Sequence, residues 1–335
     1  MKNIVVYRVK HFLMLLWAPL LLLTACDRRE LTYYTESEIS VTVDWSSAGL
    51  EADKDYGATL LIYPQDGSAP RTVLMGERGH TTVRLAPGRY NAVVFNRSFD
   101  DFGAVAFREQ EALETFEAYA RKVETRAGTR VIVSSPEKLA AATVLNFEVT
   151  EDMLGNYAPA ASRTTSCPAG KCQLTFTPLP LTCEVKVELN VKGLNNVREA
   201  HCTLRGVPLS KFIYSGHIGE ETGGQEFTVG NPTFTPGSLT EGVLTGTINT
   251  FGLEEDIPHE VELETLLVDG KTVVTQTLTD VTIREDTDDS GSIVLYLEAS
   301  TPDPLPDVKP EGSSDSGFDA DVGGWDDEVN TEIPI

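Results

Sequence analysis

A strict alternation of apolar and polar residues between Leu181 and Val191 constrains the fold more than any other feature of this sequence. The intervening residues are threonine, glutamate, lysine or asparagine. Successive side chains of a β-strand point to opposite faces, so a period of two predicts a strand that buries one face. The apolar members of the pattern are Leu181, Cys183, Val185, Val187, Leu189 and Val191.

Short stretches of the same kind recur along the chain, with turn residues between them. Residues 39–45 alternate in this way, and Pro64-Gln65-Asp66-Gly67 is a typical turn sequence. One stretch, Glu109 to Val123, spaces its apolar residues as a helix would. Those residues are Leu113, Phe116, Ala120 and Val123. The pattern as a whole predicts an all-β fold of antiparallel sandwiches, with one short helix in the first.

Changes in composition divide the chain into segments. A length of 335 residues favours two domains, and residues 151–171 lose periodicity and gather Gly, Pro, Ala, Ser and Thr. We therefore predict β-sandwiches at 37–150 and 172–300, each folding as a unit, with a linker at 151–171. Residues 301–316 are rich in Pro, Asp and Ser, which predicts an extended acidic linker that buries no core. Residues 317–335 regain a strand-like alternation.

The N-terminus has the layout of a secretory signal. Residues 1–25 contain three basic residues, no acid and an apolar run from Phe12 to Leu23, which is too short to cross a bilayer. The motif Leu23-Thr24-Ala25-Cys26 resembles the bacterial lipobox, whose cysteine becomes a lipidated N-terminus. We predict a lipoprotein signal peptide at 1–25, lipid (palmitate included) on Cys26 and a tether at 26–36. The alternative is an ordinary cleaved signal with an incidental cysteine.

A set of short motifs spread over the chain resembles one family. The motifs are Cys26-Asp27-Arg28-Arg29-Glu30-Leu31, Val43-Asp44-Trp45-Ser46, Ile62-Tyr63-Pro64-Gln65-Asp66-Gly67, Leu85-Ala86-Pro87-Gly88-Arg89-Tyr90, Lys192-Gly193-Leu194-Asn195, Asn249-Thr250-Phe251-Gly252, Leu267-Val268-Asp269-Gly270-Lys271 and Gly317-Phe318-Asp319. Together they resemble a family of Bacteroidales lipoproteins grouped with the fimbrillin-like superfamily. The resemblance covers almost all of the chain after Cys26. It implies two tandem transthyretin-like β-sandwich domains, an outer-membrane lipoprotein and no established activity.

One departure from the wider superfamily bears on assembly. Its polymerising members are cut by an Arg-specific protease in the loop after the first strand. The loop after Trp45 contains no arginine here, and the first one beyond it is Arg71, inside a predicted hairpin. This departure favours a fimbrial anchor, an accessory component or an independent surface protein over a repeating subunit.

Four cysteines other than Cys26 are candidates for disulfides: Cys167, Cys172, Cys183 and Cys202. The cell envelope permits disulfides, and four cysteines allow three pairings. Cys167 and Cys172 enclose a turn, so this pair could close a small loop, whereas the strand patterns around Cys183 and Cys202 allow buried thiols. A four-thiolate zinc site is the alternative, but its usual close pairs are absent beyond the first two cysteines, so we expect no metal.

Net charge and residue spacing argue against several classes of partner and of binding or catalytic site. A net charge of −24 argues against a nucleic-acid partner and against electrostatic docking on anionic lipid. Residues 286–291 superficially resemble a calcium loop, but Leu297 stands where the bidentate glutamate belongs, so we interpret them as a turn. No spacing typical of a metalloprotease or of a nucleophile elbow occurs around the histidines. We therefore predict no catalytic residues and no cofactor. His11 lies in the predicted signal peptide, and the other histidines are His80, His201, His217 and His259.

Two functions remain. The first is a non-catalytic, fimbrillin-like outer-membrane lipoprotein with a structural or adhesive role, whose partner is a fimbrial or other surface protein. The alternative is a glycan-binding lipoprotein, although Trp45, Tyr63, Tyr90 and Phe95 lie in strand patterns and are expected in the core, which leaves Trp325. The tail at 317–335 either docks as strands, on this molecule or on a partner, or is a solvated acidic tail.

Overall fold

The computed structural model describes residues 33–50, 56–123, 131–156, 172–253, 258–287 and 293–312. Within these residues the regular elements are β-strands and three short 3₁₀ turns, at Phe99–Asp101, Glu151–Leu154 and Leu194–Asn196. The all-β prediction is confirmed.

The described residues form 21 β-strands, of which twelve lie before residue 181 and nine begin at Cys183 or later. The first twelve are β1 (Ser37–Val43), β2 (Ala58–Pro64), β3 (Arg71–Met75), β4 (His80–Leu85), β5 (Gly88–Asn96), β6 (Val105–Arg108), β7 (Glu117–Ala120), β8 (Lys122–Val123), β9 (Ile132–Val133), β10 (Ala140–Val149), β11 (Gln173–Phe176) and β12 (Leu179–Pro180). The others are β13 (Cys183–Lys192), β14 (Val197–Pro208), β15 (Ser210–Phe212), β16 (Thr222–Phe234), β17 (Glu241–Thr250), β18 (Glu260–Leu267), β19 (Val273–Thr277), β20 (Thr279–Thr287) and β21 (Ile293–Ser300).

Two sheets face each other in the N-terminal half. One has the order β11-β1-β4 and the other the order β12-β10-β5-β2-β3. All of their pairings are antiparallel except the one between β1 and β11. The alternating residues of β1 point inward, and Ile39 and Val41 are fully buried against Leu60 and Ile62 of β2. This apolar layer is the core of the first sandwich.

A single curled sheet forms the sandwich of the C-terminal half. Its order is β19-β18-β14-β16-β17-β13-β21-β20. The sheet turns over within β16, where Asn231 has a positive φ and the register with β17 shifts between Gly230 and Thr233. Val185, Val187, Leu189 and Val191 of β13 are buried between the two layers. The half-buried strand predicted from the alternation between Leu181 and Val191 is therefore confirmed.

The helix predicted over Glu109 to Val123 is wrong. Residues 117–120 form β7 instead, which pairs with β6 on one side and β15 on the other. Phe116, Ala118 and Ala120 are buried, whereas Val123, which a helix would bury, is 43% exposed. The apolar residues in this short stretch satisfy either period, and the two neighbouring strands supply the hydrogen bonds that decide between them.

The linker predicted at 301–316 is extended, but the expectation that it buries no core is wrong. We call residues 301–312 the strap. Thr301 and Leu305 are buried, and Leu305 packs into the core of the C-terminal sandwich. Prolines at four positions remove backbone donors, so the strap cannot join the sheet as a regular strand and instead lies across its end. Residues 313–335 lie outside the described residues.

Backbone and side-chain contacts hold the strap along its length. Its backbone N–H groups at Thr301, Leu305 and Glu311 donate to carbonyls of Asn190, Lys192 and Val268, at 2.9, 2.9 and 3.0 Å. The Asn196 side chain donates to Asp307 at 2.8 Å, and Arg198 pairs with Glu311 at 2.6 Å. Gly193 makes the close approach feasible, because a Cβ there would lie 2.8 Å from the carbonyl oxygen of Leu305.

We predict that Leu305→Ala destabilises the C-terminal sandwich by about 2–4 kcal/mol, because it opens a cavity at the end of a packed core. The matched control is Leu239→Ala, which removes a leucine that is 87% exposed and should change the free energy of unfolding by less than about 0.5 kcal/mol. Urea denaturation of both variants makes the comparison. Equal effects of the two substitutions would show that the strap does not contribute to the core.

The pairing of β11 and β12 places residues 173–180 with the N-terminal strands. β11 pairs with β1, and β12 pairs with β10. These residues therefore belong to the sheets of the first half, although the sequence pattern assigned them to the second sandwich. The pattern could not show this, because a strand's own residues do not specify its partner. The number of independently folding domains stays a prediction.

Candidate functional site

Several of the predicted functional residues lie outside the described residues. They include Cys26, Cys167, Trp325 and the tail at 317–335. Lipidation of Cys26 therefore stays a prediction. In the part of the chain that is described, no helix has both the length and the apolar character needed to cross a membrane.

The three described cysteines fall into two states. Cys172 is disulfide-bonded, whereas Cys183 and Cys202 are free thiols. Cys202 lies in the core of the C-terminal sandwich, and burial raises the pKa of its thiol to about 12. The Cys183 sulfur lies 3.3 Å from the hydroxyl oxygen of Thr250, and burial raises the pKa of this thiol as well. Both thiols are therefore protonated at neutral pH, which leaves them poor nucleophiles.

The remaining predicted positions lie in ordinary structural surroundings. Tyr63 and Phe95 are buried, as expected. Trp45 and Tyr90 are partly buried against the first core and donate hydrogen bonds to the carbonyls of Arg78 and Ala86. Arg71 is the first residue of β3 and lies in the β2–β3 hairpin, as predicted.

The candidate metal and catalytic side chains are dispersed. Asp286 of β20 forms an ion pair with Arg284, and residues 288–292 lie outside the described residues. The four described histidines lie on β4, on β14, after β15 and before β18. Among the residues that the structure covers, no group of three or more His, Cys, Asp or Glu side chains is arranged to hold a metal ion.

A third apolar cluster joins the two halves of the molecule, and we call it the joint cluster. Its members from the first half lie on the second face of β2 and β5, on β6, β7, β9 and β10, and in the connections that contain Phe102, Leu113, Phe116 and Leu139. The second half contributes Leu181, Leu209, Ile213 and Phe251, all less than 9% exposed. An apolar layer with side chains from both halves stabilises their relative position, because separating the halves would expose it to water.

Aromatic rings form the centre of the joint cluster. Phe95 of β5 packs against Phe99, Phe107 and Phe116, with ring centroids 5.1, 5.2 and 6.0 Å apart. Phe102 packs against Phe107 at 5.3 Å. Tilted and edge-on pairs at these separations add to the stability gained from burial alone.

Strand pairing also crosses between the halves. β7 of the first half pairs with β15 of the second, and β9 pairs with β16. The Ser135 hydroxyl donates to the carbonyl of Asn249 at 3.1 Å and accepts a hydrogen bond from its N–H group at 2.9 Å. The joint therefore combines apolar packing with directional hydrogen bonds.

An ion pair between half-exposed Arg108 and buried Glu117 lies where β6, β7 and β15 meet. Glu117 is 5% exposed and accepts a hydrogen bond from the guanidinium of Arg108. Burial is the largest single influence on the pKa of Glu117 and raises it, but the hydrogen bond and charge of Arg108, together with the Ser210 hydroxyl, outweigh burial and lower this pKa. Removing one partner of such a pair leaves the other charge unpaired, so the pair favours one arrangement of the strands.

The joint cluster and the strap were both missed by reasoning from the sequence. The sequence did contain a partial signal for the joint, because Leu61, Tyr63, Val93 and Phe95 alternate with other apolar residues, which is typical of a strand buried on both faces. What covers the second face could not be deduced, because its partners come from distant parts of the chain.

Comparison with known proteins gives one family and a small set of relatives. Residues 25–227 match the family described as Domain of unknown function (DUF5119). A Bacteroides ovatus protein named "Putative fimbrium anchoring subunit Fim4B" is 32% identical over 149 residues. That alignment covers 43% of this chain and 43% of the relative, so the chain spans less than half the length of the relative it matches.

One solved structure shows similarity of fold, and a second is a weaker match. A Bacteroides ovatus protein described as a "putative adhesin" has a TM-score of 0.52 and 18% identity, covering 75% of this chain and 86% of its own. A second "putative adhesin", from Bacteroides thetaiotaomicron, has a TM-score of 0.45 and 11% identity, covering 73% and 81%. At 18% identity, the first supports the arrangement of sheets and nothing further.

Proposed function

Because the chain belongs to the DUF5119 family, whose description states no function, we propose its role from the curated relative: a non-catalytic anchoring or accessory subunit of a fimbrium. The observation that carries this proposal is the 32% identity to a protein named as a fimbrium anchoring subunit. The predicted membership of a fimbrillin-like family agrees with this similarity.

The proposed attachment has two parts. Lipid on Cys26 holds the chain in the outer membrane, and residues 26–36 connect the lipid to the first sandwich. The two sandwiches then bear the load between the membrane and a fimbrial partner. The joint cluster supports this role, because a packed and hydrogen-bonded joint transmits force between the halves better than a flexible linker would.

The glycan-binding alternative gains no support from the four aromatic residues singled out in the sequence. Tyr63 and Phe95 are buried, and Trp45 and Tyr90 pack against the first core. A sugar platform needs an exposed ring face. We therefore propose no glycan-binding function.

Deletion of this protein in its host bacterium tests the proposal. We expect fimbriae to appear in the culture medium in place of the cell surface, because the filament would lack its attachment. Electron microscopy of the cells and fimbrillin immunoblots of the medium measure the change, and expression of the full chain should restore attachment. Unchanged numbers of cell-bound fimbriae would refute the proposed function.

A further inference from the structure

The tip of the β16–β17 hairpin exposes two large apolar side chains. We call residues 231–240 the hairpin tip. Leu239 is 87% exposed, more than any other large apolar side chain among the described residues, and Phe234 is 44% exposed. Scattered apolar residues are normal on a protein surface, so exposure alone says little. The backbone and the charge around these two residues carry the argument further.

Hydrogen bonds within the hairpin tip and to the Gly193 turn hold the backbone of the tip in one conformation. The Thr240 carbonyl accepts hydrogen bonds from the N–H groups of Gly193 and Leu194, at 2.7 and 2.8 Å. The Ser238 hydroxyl accepts hydrogen bonds from the N–H groups of Thr240 and Glu241. Gly237 has a φ of 85°, a left-handed conformation that glycine adopts without strain. A backbone held in this way loses little conformational entropy when a partner binds the tip.

Transfer of the hairpin tip from water into a partner's surface would also cost little desolvation free energy. Residues 227–240 contain no charged side chain, although the chain as a whole has 51 acidic and 27 basic residues. The backbone N–H groups of Thr235, Ser238, Thr240 and Glu241 already donate within the turn, and Pro236 has none. Burial of the tip would therefore leave few polar groups without a hydrogen bond.

We propose that the hairpin tip inserts Leu239 and Phe234 into an apolar pocket of a partner fimbrial protein. This inference rests on the proposed function, because it assigns the surface through which the chain holds the fimbrium. A protein pocket is favoured over a lipid surface because Leu305 of the strap lies against the same Gly193 turn and is flanked by Asp303 and Asp307. Anionic lipid would repel these carboxylates.

Photo-cross-linking in the host tests the inference with the full chain. Benzoylphenylalanine replaces Leu239 in one strain and Leu145, a 43% exposed leucine of β10, in the matched control. We expect a cross-link from position 239 to a fimbrial subunit, identified by mass spectrometry, and none from position 145. A product with lipid, or no fimbrial product at position 239, would overturn the inference.

A second measurement separates this inference from the proposed function. We expect Leu239→Ser to weaken the hold on the fimbrium about tenfold or more, with an unchanged amount of this protein in the outer membrane. If deletion of the whole protein releases fimbriae while Leu239→Ser and the double variant with Phe234→Ser retain them, the tip is not the contact. If deletion of the whole protein leaves fimbriae on the cells, the proposed anchoring function is refuted. The contact through the hairpin tip is then tested separately, by whether position 239 cross-links to a fimbrial subunit.

Discussion

Cys26→Ser is expected to remove this protein from the outer membrane almost completely. Each buried methylene of an acyl chain contributes about 0.8 kcal/mol, and one chain gives only reversible membrane binding. We predict that Cys26 carries the three acyl chains typical of a lipobox cysteine, so the serine variant would lose the whole anchor. We expect the outer-membrane fraction to fall to about a tenth or less of its original value.

Fractionation of inner membrane, outer membrane and medium, followed by immunoblotting, measures this loss. The matched control is Cys183→Ser, which replaces a free, partly buried thiol by a hydroxyl that can keep the contact with Thr250. That variant should stay in the outer membrane. If Cys26→Ser remains there in the same amount, Cys26 carries no anchor and the motif at 23–26 is incidental.

Phe251→Ala is expected to destabilise both halves of the molecule by about 3–5 kcal/mol, because it opens a cavity in the joint cluster. Phe251 follows β17, in the second half, yet it is 1% exposed and packs with Phe95 and Phe116 of the first half in one cluster. Loss of a shared side chain removes contacts from both sides of the joint. The matched control, Phe234→Ala, removes a half-exposed ring and should cost less than about 0.5 kcal/mol.

Hydrogen exchange followed by mass spectrometry distinguishes a shared core from two independent ones. With a shared core, Phe251→Ala should lower the protection of β2 and β5 as well as that of β13 and β17. Independent sandwiches, as the sequence pattern suggests, would confine the loss to the second half. That result would also make residues 37–150 and 172–300 separate folding units, as expected from the loss of pattern between them.

The assignment of residues 109–123 shows where sequence patterns become ambiguous. Leu113, Phe116 and Ala120 satisfy a helical period, and Phe116, Ala118 and Ala120 satisfy a strand period. Over so few residues the helical and the strand period fit equally well. The segment forms a strand because β6 and β15 pair with β7 on its two sides. The predicted helix failed because a distant segment completes this small sheet.

The strap shows the same dependence on distant contacts in a segment of low hydrophobicity. Its composition predicts exposure, since four prolines and several acids dominate it. Two apolar side chains, Leu305 and Val308, nevertheless pack against the core of the C-terminal sandwich, because Gly193 leaves space for Leu305 and hydrogen bonds hold the strap in place. Composition averages over a segment, whereas docking depends on where a few residues meet a complementary surface.

Local patterns in the sequence predicted the all-β class and the faces of strands such as β1 and β13, which are confirmed, and a lipidation site at Cys26, which stays a prediction. Each of these follows from residues close together in the chain, because side-chain alternation and the signal motif are local properties. The tertiary structure alone decided that residues 109–123 contain a strand, that β11 and β12 join the first half, that Leu305 completes the second core and that Phe251 belongs to the joint cluster. These depend on contacts between segments far apart in sequence, since an apolar face specifies that it must be covered but not which part of the chain covers it.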